Sequence, residues 1–145
     1  MHDWFQWYVQ QTEKQKSWAR YRDRYVCPCC FMPTLQARAA YDACEICDWE
    51  DYGQDSDDAD VVRGGPSGDY SLSEARENFT QYVTMYRPAD SQAFVYELTD
   101  RHSKEQLIRN FTIAIVSGLD EHWQTALLVE QELAAERIRR ERTGH

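Results

Sequence analysis

Cys27-Pro28-Cys29-Cys30 and, after thirteen intervening residues, Cys44-Glu45-Ile46-Cys47 decide how this chain is read. In each stretch two cysteines stand three positions apart, a spacing that a tight turn converts into two sulfurs on one side of an ion. The thirteen residues between the pairs are enough for a short hairpin to fold back and bring four sulfurs together. Zinc takes such a set tetrahedrally at about 2.3 Å, and four thiolates leave no position open for water or substrate. The pattern points to one structural zinc ion per chain, held by Cys27, Cys30, Cys44 and Cys47. Iron in a rubredoxin-like shell is the alternative occupant, since the same tetrahedral thiolate site accepts it. A redox dithiol is disfavoured, because it needs one exposed cysteine of low pKa whereas four clustered thiols capture metal. Cys29 reads as a small side chain within the first turn.

The charge is spread unevenly around this motif. The chain of 145 residues carries a formal charge of −9, and residues 42–60 hold nine carboxylates with no Lys or Arg. Four thiolates around a dication add two further negative charges. Such a field repels a phosphate backbone and attracts a basic partner. Glu50, Asp51, Asp55, Asp57, Asp58 and Asp60 are the candidate contact residues for that partner. The same aspartates do not spell an EF-hand: counted from Asp55, position six is Asp60 rather than Gly and position twelve is Pro66 rather than Glu. Apolar content of 42% and aromatic content of 13% suit a globular chain, and no apolar run approaches the roughly 20 residues of a membrane span. Five cysteines make an odd set for a disulfide framework, and Met1-His2-Asp3-Trp4 has no signal-peptide character, so a cytoplasmic protein is expected.

Outward from the cysteines the expected class is α+β, mostly α: a small four-cysteine zinc-ribbon hairpin with two or three short strands, packed against about four helices in one domain, 1–145. Residues 1–25 are read as an aromatic helix, with Trp4, Trp7 and Tyr8 on one face and Trp18, Tyr21 and Tyr25 on another. Residues 26–60 form the metal hairpin and an exposed acidic loop. Gly64-Gly65-Pro66-Ser67-Gly68 is a turn, lacking the Lys-Ser/Thr of a phosphate loop. Residues 71–142 are the helical part. Ser71 with Glu74 forms a capping box opening a helix through Ala75, Phe79, Val83 and Tyr86 that Pro88 ends. Phe94-Val95-Tyr96 is β-prone and short. Ser103 with Gln106 opens an apolar helix stopped by Gly118, and Asp120 caps a last helix with Trp123, Leu127, Leu128, Leu133 and Ile138 on one side. Its basic end, Arg137 to Arg142, matches the negative pole of the helix dipole.

From Cys27-Pro28-Cys29-Cys30 through Cys44-Glu45-Ile46-Cys47-Asp48-Trp49-Glu50-Asp51 and Gly53-Gln54-Asp55 to Ser71-Leu72-Ser73-Glu74-Ala75-Arg76-Glu77-Asn78-Phe79, the sequence resembles the bacterial cysteine-rich CPCC family. The resemblance covers residues 26–79. It implies a zinc-ribbon-like domain, carries no defined enzymatic activity, and brings an association with toxin–immunity neighbourhoods. Three positions depart from the family pattern: Phe31 stands where Gly is usual, Glu45 where Pro is usual and Asp48 where an aromatic residue is common. Glycine after a metal-binding turn relieves crowding, so Phe31 is expected to strain that turn or to force a variant of it.

No catalytic constellation is legible. Glu50 and Asp51 have no nucleophile, base partner or open metal position, and His2, His102, His122 and His145 are scattered. The expected function is non-enzymatic: a zinc-stabilised module that binds a protein, most concretely an immunity protein occluding a basic toxin or nuclease domain. The alternative is a zinc-ribbon adaptor on nucleic acid, which needs the arginines at 20, 22 and 24 or at the C-terminal end to form one face.

Overall fold

Two antiparallel hairpins of two-residue strands flank the cysteines in the computed structural model, which describes residues 18–143. The chain divides between Leu98 and Thr99 into two units. In the first, β1 (Arg20–Tyr21) pairs with β2 (Arg24–Tyr25), Arg20 opposite Tyr25 and its guanidinium 4.8 Å from the centre of that ring. Residues 1–17 of the expected aromatic helix lie outside the described residues, and its remainder is this hairpin instead. The reason lies just downstream: Tyr25 exchanges both backbone bonds with Leu35, at 2.8 and 3.1 Å, and a helix through residue 25 would forbid that exchange.

The second hairpin joins β3 (Asp42–Ala43) to β4 (Glu50–Asp51) in the register Asp42 to Asp51 and Ala43 to Glu50. Four short strands thus replace the two or three expected, among the described residues. The acidic stretch that follows is less open than its charge suggests. Gln54 is fully buried, and its side-chain amide donates to the carbonyls of Asp58 (2.8 Å) and Val61 (2.6 Å). Asp55 caps a 3-10 turn over Ser56–Asp58.

Helix α1 (Leu72–Tyr82) starts at Ser71, whose hydroxyl accepts from the Glu74 backbone at 3.0 Å. The reciprocal half of the expected capping box is replaced, since the Glu74 carboxylate takes two 2.7 Å bonds from Arg87. The helix ends at Val83, in the left-handed region at φ 60°, so Tyr86 lies beyond it and Pro88 is not its stop. Helix α2 (Ser91–Thr99) contains the β-prone Phe94-Val95-Tyr96. Phe94 meets Tyr82 edge to face at 5.1 Å, a contact that favours the helix over local propensity. Leu72, Ala75 and Phe79 of α1 are buried, as are Val26, Met32, Leu35, Ile46 and Trp49 of the cysteine segment.

The second unit is a pair of antiparallel helices, α3 (Arg101–Ser117) and α4 (Asp120–Thr143). Asp100, not Ser103, stands before α3, and Asp120 is the first residue of α4 rather than its cap. Gly118 turns the chain at φ 70°, its N–H reaching Ala114. Leu107, Phe111, Ala114, Trp123, Ala126 and Leu133 are buried, with Phe111 and Trp123 5.7 Å apart. Leu128 and Ile138 are 59% and 52% exposed, which narrows the expected apolar side of α4. At the far end Asp100 accepts from Arg137 (3.0 Å) and from both terminal nitrogens of Arg140 (2.8 Å each), joining the start of α3 to the last turns of α4.

Candidate metal centre

The two cysteine turns obey one backbone rule. In the first, residues 27–32, the Cys27 N–H donates to Met32 O (2.9 Å) and the Phe31 N–H to Cys27 O (2.9 Å). In the second, residues 44–49, Cys44 donates to Trp49 O (3.0 Å) and Asp48 to Cys44 O (2.9 Å). Both turns need a left-handed residue immediately after the second cysteine, and Phe31 (φ 64°) and Asp48 (φ 69°) supply it. A non-glycine residue there costs about 1–2 kcal/mol, less for Asp than for Phe. Phe31 therefore does not force a variant turn. It accepts the strained conformation with its ring buried beneath the Arg76 guanidinium, 5.1 Å from the ring centre. Arg76 is further tied by its Nε to Pro28 O at 2.8 Å, so α1 holds the first turn by its backbone and by its aromatic ring.

These turns bring Cys27, Cys30, Cys44 and Cys47 together: all four are buried, and their sulfurs lie within 4.8 Å of one another. Cys27 Sγ is 3.6 Å from Cys47 Sγ, and Cys30 Sγ is 3.6 Å from Cys44 Sγ. A tetrahedron with bonds of about 2.3 Å has edges of about 3.8 Å. Four soft thiol donors at this spacing fit one tetrahedral metal ion. Cys29 is buried as well but stands outside the set. Backbone N–H groups of Ile46 and Trp49 point at Cys44 Sγ (3.4 Å) and Cys47 Sγ (3.5 Å), and the Thr34 hydroxyl donates to Cys44 Sγ at 3.0 Å.

Electrostatics show why the cluster suits a cation. Burial pushes the thiols of Cys27, Cys30 and Cys47 well above the usual range. Burial acts on Cys44 too, but bonds from the three other cysteines and from Thr34 hold it well below. A divalent ion makes it favourable for all four to ionise.

The candidate partner-binding carboxylates separate into two groups. Asp51 is fully buried and withdrawn from any contact surface. It pairs with Arg38 at 2.7 Å and accepts the N–H groups of Ala39 (2.7 Å) and Gly53 (3.2 Å). Asp55 takes the same guanidinium at 2.9 Å, and Asp58 pairs with Arg63. Asp57 and Asp60 are exposed, Asp60 accepting from Ser73, and Glu50 is half-buried. Arg38 has a sequence signal: between Arg24 and Arg63 it is the one base, set among nine carboxylates. The roles of Thr34 and Arg76 have no such signal.

Beside the second turn lies a cleft of about 290 Å³, with Asp48, Glu50, Asp69 and Asp90 on its walls together with Tyr70 and Tyr86. Tyr86 donates to Asp48 at 2.7 Å and Tyr70 to Asp90. Burial, then the bond to Asp90, pushes Tyr70 up to about 12, and burial followed by Asp48 pushes Tyr86 higher still. Both phenols remain donors at neutral pH. The Met85 N–H donates to Cys47 O at 2.9 Å and anchors this wall to the metal-binding turn.

Residues 25–95 match the family model described as cysteine-rich CPCC. Over this segment the chain is similar to the CPCC family. The match begins at the strand entering the first turn and runs through α1 into α2, beyond residues 26–79 that carry the motif resemblance. No curated protein and no solved structure matches the chain. Among the described residues no helix is long and apolar enough to cross a membrane.

Proposed function

We propose that the CPCC segment binds one structural zinc ion, and that the protein acts by binding a basic protein rather than by catalysis, as an immunity protein neutralising a toxin or nuclease domain. The observation that carries the metal reading is the closed set of four buried sulfurs within 4.8 Å. Zinc is favoured over iron because a closed thiolate shell in a small segment is its commonest structural use. The five cysteines form no disulfide, which suits a reducing, cytoplasmic setting.

Support for a basic partner is electrostatic. Exposed Asp57 and Asp60 stand on the acidic segment 42–60 together with Asp48 and half-buried Glu50, and Asp69 and Asp90 join the latter two at the cleft, in a chain with net charge −9. Such a field raises association rates with a cationic protein and falls away with salt.

The test has two arms. Metal analysis of protein purified without chelators is expected to return one zinc per chain; iron, or no metal, overturns the zinc reading. Stopped-flow association with a basic toxin domain captured from the source organism is expected to slow several-fold for Asp57→Lys with Asp60→Lys, most at low salt. Unchanged rates, or salt-sensitive binding to RNA or DNA instead, would remove the protein-binding reading.

A further inference from the structure

The metal cluster is asymmetric in a way its ligand pattern does not announce. Cys44 receives a hydroxyl, and among the described residues none of the other three candidate ligands does. That hydroxyl comes from the segment that follows the first cysteine turn. Thr34 follows the first turn, its N–H bonded to Met32 O at 2.9 Å, and the next residue, Leu35, is locked to Tyr25 by two backbone bonds. The side chain is 94% buried by its 6% exposure, so its rotamer is fixed by packing and its single proton is committed to sulfur.

We propose that Thr34 is a positioning residue of the metal centre: its O–H···Sγ bond to Cys44 aims that sulfur from the segment after the first cysteine turn and draws charge from the thiolate. This rests on the metal reading above. A thiolate bonded to a donor gives up less electron density to its ion and is the weaker nucleophile, and loss of such outer partners typically costs about 10–100-fold in metal affinity. Sulfur hydrogen bonds also set the electronic properties of metal–thiolate centres. Thr34 holds the ion more firmly by fixing where Cys44 Sγ points and by compensating its buried charge, which outweighs the reduced electron donation.

The experiment compares the full chain with Thr34→Val, which keeps the shape and removes the hydroxyl, and Thr34→Ser, which keeps the hydroxyl. Each is loaded with cobalt(II) as a visible substitute, and zinc affinity is read by chelator competition. Thr34→Val is expected to move the sulfur-to-cobalt charge-transfer band to lower energy and to weaken zinc binding about 10–100-fold, while Thr34→Ser restores both. A Thr34→Val protein with unchanged band and affinity would overturn the proposal and leave the metal reading intact. If Thr34→Val does not fold with excess metal, Thr34→Ser decides: a folded, tightly binding protein supports the hydroxyl's role, and a Thr34→Ser protein that fails in the same way, although it keeps the hydroxyl, overturns the proposal. A wild-type chain giving no thiolate–cobalt band would overturn the metal reading and this proposal together.

Discussion

Residues 27–49 contain no regular element longer than two residues, whereas α3 and α4 run for 17 and 24. The first region satisfies its backbone by turns that repeat around sulfur, with two residues forced to positive φ at the cysteines. The second satisfies its backbone within each helix and buries one apolar face of each. A helix propagates from its own residues. A cysteine turn is justified by what its side chains hold. The difference teaches that one chain can contain two kinds of order, one tied to four thiols and one to apolar packing, and that they should fail under different insults.

The largest expected separation comes from Cys44→Ala. Metal affinity should fall by more than the ~100-fold that losing an outer partner costs, and residues 18–98 should lose near-ultraviolet structure because metal binding and folding are linked. Helices α3 and α4 hold 17 and 24 residues against 11 and 9 in α1 and α2, so about two-thirds of the helical circular-dichroism signal should survive. Complete loss of helicity would break the comparison. Next, Arg38→Met strands the fully buried Asp51 charge, and removing one partner of such a pair costs about 3–5 kcal/mol. Urea unfolding measures it. A midpoint equal to wild type would mean that the thiols alone hold the first region.

Asp100→Asn strikes the second region, where three bonds from Arg137 and Arg140 are weakened; hydrogen bonds to charged groups are worth about 1.5–3 kcal/mol each, and Asn retains part of them. A loss of about 1–2 kcal/mol in thermal unfolding of the helix pair is expected. The sign with pH follows. Burial opposes ionisation of Asp100, but Arg140 and Arg137 outweigh it and hold its carboxyl below the usual range. Its contribution is therefore full above the unfolded pKa near 3.9 and is lost as pH falls through the lower folded value. Thiolate ligands meet proton competition in milder acid. Acid titration should release metal first and melt α3–α4 afterwards, and Asp100→Asn should erase the second step's dependence on this carboxylate. A single coincident transition would show that the two regions respond as one. The smallest effect is Ala39→Gly. Ala39 is exposed at φ 57°, where glycine removes about 1–2 kcal/mol of strain and costs about 0.5–1 in chain entropy. A gain of a few tenths to about 1 kcal/mol should appear as a small rise in the first region's midpoint.

The cysteine cluster was legible because a tetrahedral thiolate site constrains spacing tightly: Cys27, Cys30, Cys44 and Cys47 needed no further context to be grouped as candidate ligands. Helix starts and stops written in cap chemistry, Ser71 and Gly118, were equally plain. The hairpin at 20–25 was not, because Trp18, Tyr21 and Tyr25 at separations of three and four imitate a helical face while the decisive bond, Tyr25 to Leu35, is non-local. Val83 ends α1 in a conformation its branched side chain disfavours, so no local rule marks the site. The acidic run misled for a related reason. Composition registers charge, and only the fold shows that Asp51 and Asp55 are spent on Arg38.

The bond from Met85 N–H to Cys47 O has a consequence for the order of events on the ribosome. The last candidate ligand leaves the exit tunnel 38 residues before the group that bonds to its turn. At synthesis rates of about 5–20 residues per second, that is an interval of about 2–8 s. Through it the four thiols are all present while the second turn still lacks its bond from Met85.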